Sequence, residues 1–420
     1  MSIDSVPLDD AFSTPLFFVD PPAVYRRLRT ESPVFRSARL DAWLVSRYDD
    51  CLAVLKDPAR FSNHGRLAAW LSLLSPESRP EIAEITAYYE RGVVMTDPPD
   101  HARMRAALNR AFTPHVIEQL RGRIQSFVDD RIDTCADRGR LDLVGDLAYP
   151  LPVTIICELV GVPVKDEPRY LAWTHQVFDA IGTGRPQLGS IRAAQAGMLE
   201  MEGYFRALFE ERRREPREDL MSALLSVPDD ERGMSDDDLR ANFGTFISAG
   251  HESTTSLIVN GLVELVSHPE QVAAIAGDPG LAKPAVEEML RWVTPFQRDM
   301  RLVTKDVELR GVNLRTGDLV WCLLAAANRD PEQFDDPERF DIRRTDNRHL
   351  AFAMGPHFCL GAPLARLEAS IVVRTVCRRL SGLRLADEPI VRPSDYRIRT
   401  PQAAWVEFDA VGPRSAISES

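Results

Sequence analysis

Several common protein classes are excluded by what the chain lacks. Its six cysteines are scattered over 420 residues and form no Cys-x-x-Cys pair. That spacing excludes a small disulfide-stapled fold, a zinc ribbon and a thioredoxin-type redox motif, and it fits free thiols in a reducing cytosol. No uninterrupted apolar run of about 18 residues occurs, and the start, Met1-Ser2-Ile3-Asp4, has no basic segment followed by an apolar core. A cytoplasmic protein with no membrane partner is therefore expected. Basic residues are outnumbered, 51 against 63 acidic, for a formal net charge of -12, which disfavours nucleic acid as a partner. Nucleotide signatures are also missing. No P-loop is present, and Gly182-Thr183-Gly184 has Gln187 where a dinucleotide fingerprint needs its third glycine. His251-Glu252 would begin a zinc-protease motif, but Thr255 occupies the second histidine position.

What remains is a globular composition, 44% hydrophobic and 27% charged, with no Gly/Ser-rich linker and no repeat. Residues 1–420 are expected to form one large domain, long enough to enclose a deep site. A β-rich subregion is expected around 33–48, with a strand over Ala42–Tyr48. Residues 100–292 read as helical, with amphipathic stretches at Arg121–Asp137, Ile191–Arg214 and Asp236–Ser267. Strand signals return over 302–324 and 395–409, and 412–420 reads as a frayed tail. The expected fold class is mainly α with minor β.

Two segments carry chemistry. Ser235 before Asp236-Asp237-Asp238 is an N-cap signature, and Pro269 ends the pattern, giving a helix of about 30 residues or 45 Å that must cross the molecule. Its middle, Ala249-Gly250-His251-Glu252-Ser253-Thr254-Thr255, combines a glycine with residues that compete for backbone hydrogen bonds. Such a conflict fits either a functional site or a kink packed on a neighbour. The second segment runs from Phe352 to Arg366. Gly355-Pro356 makes a loop and Pro363 suits the first turn of a helix, which places Cys359 just before a helix N-terminus. There the free amides and the helix dipole favour a thiolate. A lone cysteine is poor for zinc but suits iron whose other ligands come from a porphyrin.

Phe352-x-x-Gly355-x-His357-x-Cys359-x-Gly361 closely resembles the haem-binding signature of the cytochrome P450 monooxygenases. Glu288-Met289-Leu290-Arg291 is similar to that family's Glu-x-x-Arg motif, and Pro337-Glu338-Arg339-Phe340 to the segment whose arginine joins the pair. The resemblance implies a long helix over the haem, Cys359 as axial iron ligand, and a structural network of Glu288, Arg291 and Arg339. It implies haem b contacts from His101, Arg105, Ala249, Gly250, Arg301, Phe352, Gly355, His357 and Gly361. Glu252, Ser253 and Thr254 match the family's distal segment, with Ser253 where threonine is usual; Glu252 and Ser253 with ordered water form the expected proton relay, and Thr254 or water is the alternative to Ser253. Ala353 stands where the family commonly has glycine, with only a small local adjustment expected.

The implied activity is insertion of one atom of O2 into a medium-to-large apolar small molecule, by hydroxylation or epoxidation, in tailoring of a secondary metabolite. Oxidative coupling or peroxide-driven oxidation is the alternative enzyme class, and a haem sensor is the non-enzymatic one. The chain lacks flavin and NAD(P) signatures, so electrons are expected from a ferredoxin and its reductase. Arg339, Arg343, Arg344, Arg348, Arg366, Arg374, Arg378 and Arg379 face few acids in the sequence and form the expected docking patch. Trp70, Val293 and Phe296 are the expected pocket residues, with Leu67–Tyr89 as a cover.

Overall fold

The computed structural model describes residues 5–13 and 15–414. A helix over Asp236–Val266 runs through the centre. Its start is fixed by a reciprocal cap: Ser235 Oγ accepts from the Asp238 amide, and the Asp238 carboxylate accepts from the Ser235 amide. The helices Pro150–Val160, Leu188–Arg214, Ala282–Val293 and Ala362–Arg379 pack against it. Because neighbours surround it, the central helix is buried on most faces and has no single apolar stripe. Gly250 belongs to this packing, since a Cβ there would lie 3.0 Å from Ile156 Cγ1.

The main sheet has five strands. β1 (Val34–Ser37) and β2 (Ala42–Val45) form a hairpin. The other three are β3 (Phe61–Ser62), β5 (Asp299–Val303) and β8 (Leu319–Cys322), in the order β1-β2-β8-β5-β3. β2 and β8 pair in parallel, joining residues 42–45 to 319–322. That pairing brings the N-terminal hundred residues beside the C-terminal third. β4 (Arg140–Asp142), β10 (Arg384–Leu385) and β11 (Trp405–Glu407) make a second sheet. β6 (Val307–Leu309) pairs with β7 (Val312–Leu314), and β9 (Leu380–Ser381) with β12 (Ala410–Val411). The fold is mainly helical with small sheets in one domain.

Four expectations need correction. The strand at Ala42 stops at Val45, because Tyr48 opens the helix Tyr48–Lys56. The helical region 100–292 contains β4, a three-residue strand ordered only by its distant partner β11. Leu324 begins a helical turn, Leu324–Ala327, instead of ending a strand, and 395–409 contributes only β11. The tail is anchored as far as it is described: the Gly412 amide donates to the Arg379 carbonyl, and Arg414 pairs with Asp130 and Asp133. Residues 415–420 lie outside the described residues. Leu143–Val160 has the length and apolar composition to cross a membrane, and it is 72% buried inside the protein; it is a core segment.

Candidate active site

A cavity of about 420 Å³ lies between the central helix and the loop that carries Cys359. The loop is shaped by its own backbone. The Cys359 amide donates to the Phe352 carbonyl and the Ala353 amide to the Leu350 carbonyl. Gly355 adopts φ +75°, and a Cβ there would stand 2.7 Å from the Leu55 carbonyl oxygen. It therefore seats the loop on the helix Tyr48–Lys56 and does not line the cavity. Ala353 also lies in the left-handed region, at φ +54°, a strained position for alanine.

Phe352, Cys359 and Gly361 line the cavity from this loop. Burial pushes the Cys359 thiol up, and this outweighs the Gly361 and Ala362 amides, Arg105 and Arg366, which act in the opposite direction. The amides at the helix start thus act in the expected direction, favouring the thiolate, while burial acts against them. Behind the loop, Arg366 grips Glu287 through two hydrogen bonds of 2.7 and 2.9 Å, and His349 Nε2 lies 3.1 Å from the same carboxylate. Burial alone would raise Glu287, yet these two partners hold it down to about 2.

The flank near helix Asp100–Ala111 is different. His101 and His357 have ring centroids 4.2 Å apart. Nε2 of each, and one terminal nitrogen of Arg301, are buried without a hydrogen-bond partner. Burial, followed by the charges of His101, Arg301 and Arg66, drives His357 down to about 2. Arg105 lines the cavity, with its Nε donating to Asn109 Oδ1. Arg66, which sequence reasoning missed, also lines it and pairs with Asp299 at 3.0 Å, and Asp299 pairs with Arg301 at 2.7 Å. Arg66 stands just before the apolar stretch read as a cover, and no local pattern distinguishes it from a surface arginine.

Ala249, Gly250, Ser253 and Thr254 face the cavity from the central helix. Ser253 Oγ donates to the Ala249 carbonyl at 2.9 Å. Glu252 points away, 3.4 Å from His175 Nε2, which is also 3.1 Å from the Tyr149 hydroxyl. Burial opposes ionisation of Glu252, but His175 and His251 more than compensate and keep it below its usual range, while the Glu252 hydrogen bond raises His175. No motif marks His175 or Tyr149 in the sequence.

Glu288 and Arg291 form a fully buried pair at 2.7 Å. Their third partner is Arg344, whose Nε lies 3.2 Å from Glu288, and not the expected Arg339. Arg339 contributes its carbonyl to Arg291, while its side chain turns outward to Asp341. Phe296 lines the cavity as expected, whereas Trp70 and Val293 do not. Leu67 and Leu71, four residues apart, present their helix face to the cavity, and Trp70 turns its indole towards the Gly184 carbonyl. Val293 faces a separate cleft beside Trp292 and Gln297. The arginine patch is also altered: Arg344, Arg348, Arg366 and Arg379 pair with Glu288, Asp346, Glu287 and Asp129.

A cavity with one sulfur ligand, small residues opposite it, and buried nitrogens lacking acceptors on one flank fits an iron porphyrin, whose propionates would satisfy those nitrogens. The site thus defines a haem-thiolate protein class. Comparison with known proteins takes the assignment further: the Cytochrome P450 family profile matches residues 74–276 and 281–393, and the chain belongs to that family. It is 40% identical over 380 residues to the cytochrome P450 monooxygenase PikC of Streptomyces venezuelae, covering 89% of this chain and 87% of PikC. It is 35% identical to the 6-deoxyerythronolide B hydroxylase of Saccharopolyspora erythraea, covering 90% and 94%. The crystal structure of P450BioI in complex with hexadec-9Z-enoic acid ligated acyl carrier protein superposes with TM-score 0.86 at 31% identity, covering 94% of this chain and 99% of that one. The protein is a P450 monooxygenase, an oxidoreductase of haem iron that uses O2 and a small-molecule substrate.

Proposed function

We propose that the enzyme inserts one oxygen atom into a C–H or C=C bond of a medium-to-large apolar metabolite, as a tailoring step in secondary metabolism in the cytoplasm. The observation that carries this reading is the cavity itself, whose walls are largely apolar and include Leu67, Phe178 and Phe296. The relative named 6-deoxyerythronolide B hydroxylase supports hydroxylation, and PikC is named as a monooxygenase.

Cys359 Sγ would hold the iron of haem b, and His101, Arg105, Arg301, His357 and Arg66 would hold its propionates. Haem bound there would supply O2 activation, with a ferredoxin and its reductase as the proposed electron donors. As thiolate, Cys359 would increase electron density on that iron. Ala249 keeps the wall opposite the cysteine low, while Gly250 admits Ile156 against the central helix. Glu252 exchanges protons with His175, whose side chain is half exposed at 49% and so reaches bulk water. Ser253 Oγ stands next in sequence on the cavity wall, and rotation away from the Ala249 carbonyl lets it donate a proton inward. Thr254 flanks it.

The test of the ligand is the absorption spectrum of the reduced carbonyl adduct. Wild type gives the thiolate-type spectrum and Cys359→Ser loses it; an unchanged spectrum removes Cys359 as ligand. The test of the relay is coupling. Ser253→Ala lowers product formed per electron consumed, whereas unchanged coupling assigns the role elsewhere.

A further inference from the structure

One charged group in the cavity has no part in holding haem or moving protons. Arg397 is 3% exposed and lines the cavity beside Phe178 and Phe296, with its guanidinium carbon 4.2 and 5.6 Å from their ring centroids. Only one of its three nitrogens has a partner, the Phe178 carbonyl at 3.3 Å; Nε and Nη1 are buried with none. It makes no ion pair within 4.0 Å among the described residues.

The nearby charges do not neutralise it. Asp395 accepts the amides of Arg397 and Ile398, and its charge is shared between Arg397 and a second buried guanidinium, that of Arg298. Glu252 is engaged with His175, and Asp179 is the weakest of the influences on Arg397. Burial pulls Arg397 down only to about 10, which leaves it cationic at neutral pH. It is not a member of the propionate cluster. The charges felt by His357 are those of His101, Arg301, Arg66 and Asp299, whereas those felt by Arg397 include Glu252 of the central helix and none of these. A desolvated cation with two free donors is costly unless an anion completes it.

We propose that Arg397 binds a carboxylate at one end of an otherwise apolar substrate, so that the enzyme selects amphiphilic acids. This rests on the cavity being the monooxygenase substrate site. Phe178, Phe296 and Ile398 hold the adjoining chain, and the carboxylate fixes which carbons reach the reacting position. Neutral molecules of the same length leave the guanidinium unanswered and bind more weakly.

The test uses the haem-loaded enzyme and two probes of equal chain length, dodecanoate and 1-dodecanol, followed by calorimetry and by the spin-state change at pH 7.5. Wild type binds dodecanoate roughly tenfold or more tightly than 1-dodecanol, Arg397→Gln removes the difference, and Arg397→Lys keeps part of it. Equal affinities in wild type, no measurable binding of dodecanoate, or a preference that survives in Arg397→Gln would overturn the proposal. The wild-type comparison decides the matter even where the variants fail to fold. The same wild-type sample gives the reduced carbonyl spectrum. Its failure would remove the monooxygenase reading, whereas an intact spectrum with equal affinities removes only the role of Arg397.

Discussion

On the cysteine side of the cavity, two carboxylates are answered within the chain: fully buried Glu288 by Arg291 and Arg344, and half-buried Glu287 by Arg366 and His349. On the flank formed by His101, His357 and Arg301, and again at Arg397, buried nitrogens point at nothing the chain supplies. The contrast separates architecture from function. Networks that close on themselves hold the helix Ala362–Arg379 against Ala282–Val293 and so fix the cysteine loop. Where such open groups gather at the cavity, they mark where something other than protein completes the structure.

Breaking a closed network gives the largest effect. Glu288→Ala strands Arg291, which is fully buried, and should destabilise the protein by about 3–5 kcal/mol in denaturant unfolding, with or without haem. A loss confined to the haem-loaded form would erase the distinction between the two sides.

His251 sharpens the contrast, because its two ring nitrogens are also unpartnered but it does not line the cavity. It packs edge-on against Tyr149, and burial takes its pKa down to about 4, with Glu252 acting to raise it and His175 to lower it. Its folded pKa lies below the unfolded value of 6.5, so the unfolded chain takes up the proton first. Stability present above pH 6.5 is then lost as pH falls towards 4, by on the order of 3 kcal/mol. His251→Phe should flatten the pH dependence of unfolding in that window; an unchanged slope would show that the ring is not the source.

The smallest effect is local. Alanine at φ +54° in the haem loop costs about 1–2 kcal/mol of backbone strain, part of which glycine returns through its freedom in the unfolded chain. Ala353→Gly should raise the unfolding midpoint by the equivalent of about 1 kcal/mol without altering the carbonyl spectrum. A lower midpoint would mean that the methyl group packs better than the backbone is strained.

The sequence was informative where geometry is local. The cap at Ser235, the loop around Cys359 and the i,i+3 spacing of Glu288 and Arg291 all depend on neighbours within one or two turns, and the structure contains each of them. It was least informative about which way a side chain points once helices pack. Arg339 and Arg344 are indistinguishable by type, yet only Arg344 turns inward to Glu288. Trp70 lost its place to Leu67 and Leu71 through the rotation of one short helix. Arg397 and His175 acquire their chemistry from residues more than seventy positions away, in Phe178 and Glu252. Spacing along the chain carries no trace of such meetings.

The most direct test of the contrast is His101→Phe, measured for unfolding without haem and for haem release. His101 Nε2 has no partner in the chain, so the account predicts unchanged stability of the haem-free protein and haem release faster by roughly tenfold, the loss of about one charge-assisted hydrogen bond. Equal destabilisation without haem, with haem release unaltered, would contradict it.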